Sequence, residues 1–122
     1  MKTLTTLLAV AMLSASALAA DGPIRHVVSF KFKKDADPDK VKKVEESFAA
    51  LKGKIKEIQD LEWGTNVSPE KHSKGFTHVW FVTFKTAADR DAYLVHPDHK
   101  AFGAGLKDVI DDVFVVDYVP KD

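Results

Sequence analysis

Residues 24–58 read IRHVVSFKFKKDADPDKVKKVEESFAALKGKIKEI, and the change of period inside that stretch decides the fold. From His26 the even positions carry His, Val28, Phe30 and Phe32, while the odd ones carry Val27, Ser29, Lys31 and Lys33. A period of two with one apolar side is a half-buried strand. Asp37 is suited to cap a helix and Pro38 to open one, because an N–H is dispensable at the first helical position. Val41, Val44, Phe48, Leu51, Ile55 and Ile58 then recur at alternating steps of three and four, with Lys40, Lys42, Lys43, Glu45 and Glu46 on the other side. This is an amphipathic helix, expected to end near Gly53. The interleaved acids make its lysines a solvated face.

The pattern then repeats with a hairpin inserted. Residues 60–67, DLEWGTNV, set Leu61, Trp63, Thr65 and Val67 on one side of a second strand, and Ser68 to Gly75 form a polar loop. In residues 76–85, FTHVWFVTFK, His78, Trp80, Val82 and Phe84 share a face of a third strand. Thr86 and Asp89 have capping-box spacing. The helix they open should stop at about His96, since the residue before Pro97 is pushed out of helical geometry, with a further turn over Asp98 to Phe102. Residues 113–119, VFVVDYV, make a fourth strand. The order βαββαβ is the ferredoxin-like split unit, an α+β fold. Right-handed crossovers are expected to place strands one and three side by side and parallel at the centre, with both helices on one face. The opposite face stays apolar at Val79, Phe81, Phe114 and Val116, so a second copy of the chain is the natural cover, giving a homodimer through the sheet.

Composition narrows the field. The chain has 122 residues, 18 basic against 18 acidic, a pI near 7.0 and no cysteine. One domain fits that length. There is no basic field for nucleic acid, and disulfide scaffolds, thiolate metal sites and thiol nucleophiles are excluded. Met1 and Lys2 precede an apolar run from Leu4 to Leu18, and Ala17-Leu18-Ala19 supplies the small residues of a cleavage site. Residues 1–19 therefore read as a signal peptide cut before Ala20. The expected product is exported, periplasmic or secreted, without membrane attachment after cleavage, and spans residues 20–122.

The chemistry concentrates in histidines. Parallel neighbours would bring His26 and His78 to the same end of the sheet, and Tyr93-Leu94-Val95-His96-Pro97-Asp98-His99 adds two more rings. Zinc needs three or four ligands, but Pro97 breaks the regular spacing of His96 and His99 and no carboxylate partner is evident, so no metal is expected. Gly103-Ala104-Gly105 lacks the context of a dinucleotide motif, and no cofactor is expected. Three readings remain open: acid–base chemistry with Tyr93 as an orienting hydroxyl, a binding pocket without turnover, and four rings that each satisfy a local backbone group. His72 reads as solvated, and Trp63 and Trp80 as packing.

His26 to Lys33, Trp63-Gly64, Thr77-His78, Tyr93…His96-Pro97-Asp98-His99…Phe102-Gly103 and Asp117-Tyr118, in that order, resemble the stress-responsive A/B barrel (Dabb) family from about residue 24 to 119. The resemblance implies a ferredoxin-like subunit that dimerises through its sheet into an α+β barrel. One plant member is a polyketide cyclase whose catalytic tyrosine and histidine match Tyr93 and His99, while its pocket histidines match His26 and His78. The resemblance thus implies a pocket lined by His26, His78, Tyr93 and His99. His99 would be a base and Tyr93 a partner for a developing oxyanion. The expected function is small-molecule binding or protection, with acid–base catalysis on a small, partly apolar carbonyl compound as the alternative.

Overall fold

Seven elements follow one another in the computed structural model, which describes residues 22–122. They are β1 (Ile24–Phe32), α1 (Pro38–Lys54), β2 (Asp60–Thr65), β3 (His78–Phe84), α2 (Ala87–Leu94), α3 (Pro97–Ala104) and β4 (Ile110–Tyr118). The expected leader and its cleavage point lie outside the described residues. The sheet order is β2-β3-β1-β4, the ferredoxin-like α+β arrangement expected from the element order.

Strands one and three are central neighbours as expected, but they are antiparallel, as is every adjacent pair in the sheet. The crossover rule governs β1 with β2, and β3 with β4, the pairs that α-helices connect. β3 fills the place left between β1 and β2, and its short return from β2 turns it against both. In the register, Phe30 faces His78 and His26 faces Val82. Four residues of strand, about 13 Å, therefore separate the levels of the two histidines.

Asp37 caps α1 by accepting from the Asp39 N–H at 2.9 Å. The helix buries Val44, Phe48 and Leu51 against the sheet. Phe48 lies flat on Trp80, with ring centroids 4.1 Å apart and planes within 7°. Trp63 stacks on Trp80 at 4.7 Å, and Phe30 and Phe102 both pack around Phe48. These aromatic rings fill the middle of the layer between sheet and helices, each fully buried ring contributing about 1.5–3 kcal/mol of burial.

The segment after β3 differs from its expected form. Thr86 caps α2 by accepting from the Asp89 N–H, but α2 stops at Leu94, two residues before His96. Pro97 opens a separate helix, with His96 at the N-cap position accepting the Asp98 N–H on Nδ1 at 3.0 Å. β4 begins three residues before its expected start and carries a register shift opposite Lys31 and Phe32. In the β2–β3 connection Gly75 has φ +85°, and a Cβ there would sit 2.8 Å from Lys31 Cε. β4 is exposed on both faces: Val115 on the helix side is 52% exposed and Phe114 on the other side 54%.

Candidate functional site

β1 and β4 supply the first part of the site. Alternation along β1 turns His26 towards the helices, in line with Val28 and Phe30, and the β1–β4 register sets Asp117 directly opposite His26. His26 is 5% exposed, and its Nδ1 lies 2.6 Å from Asp117 Oδ1. A carboxylate can only accept, so Nδ1 carries the proton and Nε2 presents its lone pair. Asp117 Oδ2 accepts from Arg90 Nη1 at 2.9 Å, and that bond holds the guanidinium above its usual pKa. The result is a relay from Arg90 on α2 through Asp117 to His26, which fixes the ring and its tautomer.

Tyr93 lies three residues after Arg90 on α2 and is fully buried. Its ring centroid is 5.8 Å from that of His26 and 4.4 Å from that of His99. Burial pushes the phenol well above its usual pKa, so it remains an O–H donor. α3 presents His99, whose Nδ1–H donates to the Leu94 carbonyl at 3.2 Å and leaves Nε2 as the acceptor. Burial lowers the His99 pKa below 6.5; the Leu94 bond opposes this, and nearby His26 and His96 reinforce it. The ring is therefore neutral at pH 7.

Between these three side chains lies a cavity of about 230 Å³. Its apolar walls include Phe30, Phe48 and Phe102, with Val113 and Val115 of β4 along the open side. A neutral imidazole base, a second imidazole in a fixed tautomer and an un-ionised phenol thus face one small hollow. Such a set can take a proton from a carbon beside a carbonyl and hydrogen-bond the oxygen as it becomes negative.

The structure brings together His26, Tyr93 and His99 and separates His78 from them, so the expected pocket of all four residues does not form. Antiparallel pairing carries His78 to the other end of β3. There it is 7% exposed, with Nε2 2.7 Å from Glu45 Oε2 and Nδ1 2.8 Å from Thr77 Oγ1. The zinc arrangement weighed from the sequence fails to assemble for the same reason. Among the described residues no three histidines, aspartates or glutamates are grouped to hold a metal ion. His72 is exposed, as expected.

Three functional partners escaped the sequence reading. Glu45, expected on a solvated helix face, instead turns its carboxylate to His78. Arg90 had no signal of its own. Asp117 had one: with antiparallel pairing of strands one and four, it falls opposite His26.

Fold and site together define a ferredoxin-like α+β protein with a small hollow between sheet and helices, lined by two histidines and a tyrosine. The chain belongs to the stress responsive A/B barrel domain family, whose model matches residues 24–120. Among characterised relatives, it is 33% identical over 101 residues to the stress-response A/B barrel domain-containing protein HS1 of Arabidopsis thaliana, covering 83% of this chain and 93% of that protein. It is 26% identical over 98 residues to the olivetolic acid cyclase of Cannabis sativa, covering 80% of this chain and 97% of that enzyme. Among solved structures, the Arabidopsis thaliana protein At3g17210 superposes with a TM-score of 0.75 at 30% identity, over 81% of this chain and 96% of that one. A dimeric protein of unknown function from Bacteroides fragilis superposes with a TM-score of 0.67 at 28% identity, over 83% of this chain and 99% of that one.

Proposed function

We propose that this is an exported homodimer that binds a small, partly apolar carbonyl compound between sheet and helices and moves a proton on it. The observation that carries this reading is the trio of His26, Tyr93 and His99 around one hollow, with the Nε2 atoms of both histidines and the Tyr93 hydroxyl free of protein hydrogen bonds among the described residues. At about 230 Å³ the cavity is smaller than the usual range for drug-sized ligands. It suits a single ring or a short chain. His99 Nε2 is the base that removes a proton beside the carbonyl, and Tyr93 donates to the oxygen as the enolate forms. His26, backed by Asp117, is placed to accept and return a second proton. Similarity to olivetolic acid cyclase supports this chemistry in kind, though not the same substrate.

Dimerisation is read from the outer face of the sheet, where Val79, Phe114 and Val116 are each at least 40% exposed, and from the dimeric Bacteroides fragilis relative. A contiguous apolar face of this kind marks an association surface. Light scattering should give twice the subunit mass for the wild type and a smaller mass for Phe114→Asp; a monomeric wild type removes the dimer. Export rests on the leader alone, and a periplasmic or secreted product beginning at Ala20 is the expected finding.

The deciding experiment is mass spectrometry of small molecules that co-purify with the protein, followed by incubation of the identified compound in deuterated water. Wild type should catalyse deuterium uptake beside the carbonyl, and His99→Ala and Tyr93→Phe should each reduce it by about a hundredfold or more. Binding that survives without any exchange leaves a carrier rather than an enzyme. Equal ligand recovery from wild type and His99→Ala removes the pocket altogether.

A further inference from the structure

We propose that Thr77, His78 and Glu45 form a second reactive centre, at the opposite end of the sheet, in which the Thr77 hydroxyl is an acyl acceptor from small activated esters. The geometry is that of a hydroxyl, a base and an orienting acid. Thr77 Oγ1 lies 2.8 Å from His78 Nδ1, and His78 Nε2 lies 2.7 Å from Glu45 Oε2. Glu45 can only accept, so the His78 proton sits on Nε2 and Nδ1 is the acceptor for the Thr77 O–H. That tautomer is the one a general base needs. The ring is held in place by Trp63, parallel to it at 6.0 Å, and by the edge of Phe32 at 4.9 Å.

Access and charge support the same reading. His78 is buried while Thr77, beside it, is exposed, so the base is shielded and the nucleophile reachable. An open hollow of about 530 Å³ adjoins them, with apolar wall from Phe32 and Pro38 and with Lys33 and Lys42 at its margin. Neither lysine is ion-paired with a carboxylate among the described residues, so both add positive charge to the margin of the hollow, which favours a developing anion within it. None of the residues around this hollow lines the His26 cavity; Phe30, Phe48 and Trp80 stand between the two ends.

In the step, Thr77 Oγ1 attacks the ester carbonyl carbon and its proton passes to His78 Nδ1. Glu45 stabilises the imidazolium through Nε2–H. The ester C–O bond breaks, the leaving alkoxide or phenolate takes the proton from His78, and Thr77 is left acylated. Water, deprotonated by His78, then attacks the acyl carbon, releases the carboxylic acid and restores the hydroxyl. No oxidant, reductant or metal enters the balance.

The whole protein is incubated with p-nitrophenyl acetate, nitrophenolate release is followed, and the acetylated peptide is identified by mass spectrometry. An acetyl group on Thr77 is expected, retained in Thr77→Ser, absent in Thr77→Val and formed about tenfold more slowly or worse in Glu45→Gln. Thr77 is exposed, so Thr77→Val leaves the core intact, and matched circular dichroism checks each variant. Acetylation confined to lysines overturns the proposal, and so does a Thr77 adduct that forms at the wild-type rate in Glu45→Gln. A carboxylate that merely fastened α1 to β3 would not change the rate at which one hydroxyl is acylated.

Discussion

His26 and His78 are buried on the same face of adjacent strands, each is bonded to a carboxylate, and they differ in which nitrogen makes that bond. His26 is fastened through Nδ1 to Asp117 and keeps Nε2 for the cavity. His78 is fastened through Nε2 to Glu45 and turns Nδ1 to the Thr77 hydroxyl. The first ring can touch a bound molecule directly; the second can do so only through its neighbouring hydroxyl. The type of residue and the depth of burial are alike at the two ends, so it is the anchoring atom that separates their chemistry.

The comparison depends on the aromatic rings between the two ends, and removing one is the strongest way to break it. Phe48→Ala should cost about 3–5 kcal/mol in chemical denaturation. If the variant still folds, it should also accept ligands too long for the wild-type cavity. Asp117→Asn comes next. The amide can still accept from His26 but turns an N–H towards Arg90 or leaves it unpaired, so a loss of about 2 kcal/mol is expected. If the amide instead flips to keep its oxygen on Arg90, its NH2 faces His26 Nδ1 and nitrogen chemical shifts should show the proton moved to Nε2; retention of the Nδ1 proton together with an unchanged stability would mean that the Arg90–Asp117–His26 chain contributes nothing. Glu45→Gln should cost about 1 kcal/mol or less, because the amide oxygen still accepts from His78 Nε2 and no third partner is lost.

The smallest effect separates the ends by pH. The pKa of His99 is lowered in the fold, so the unfolded chain binds the extra proton first and stability should decline as pH falls below 6.5. Above that value the group is neutral in both states and contributes no slope. His99→Asn should flatten this part of a melting-temperature profile. Any proton-transfer rate that uses His99 as base should hold up below pH 6.5 before it falls.

The element order was legible because period-two and period-3.6 patterns alternate clearly, with Asp37-Pro38 and Thr86 marking two helix starts. Strand direction is not legible from the element order through the crossover rule, because no single helix connects strands one and three, which pair antiparallel. Direction alone decides which end of the sheet His78 occupies. The break after Leu94 was half visible: Pro97 announced a stop, while the role of His96 as cap for the next helix had no signal in spacing. Tyr93 and His99 were legible from the histidine-rich stretch 93–99 and from the family resemblance; α2 and α3 then fold back beside β1 and set both rings near His26. Asp117 and Glu45 were not found, since an acid on a strand edge or a helix flank looks the same in sequence whether water or an imidazole receives it.

The rings of Phe30, Phe48 and Trp80 have a consequence for traffic. With the middle of the layer occupied, neither end offers a passage through the subunit. A molecule that enters beside His26 therefore cannot leave past His78, and exchange at the two ends runs independently.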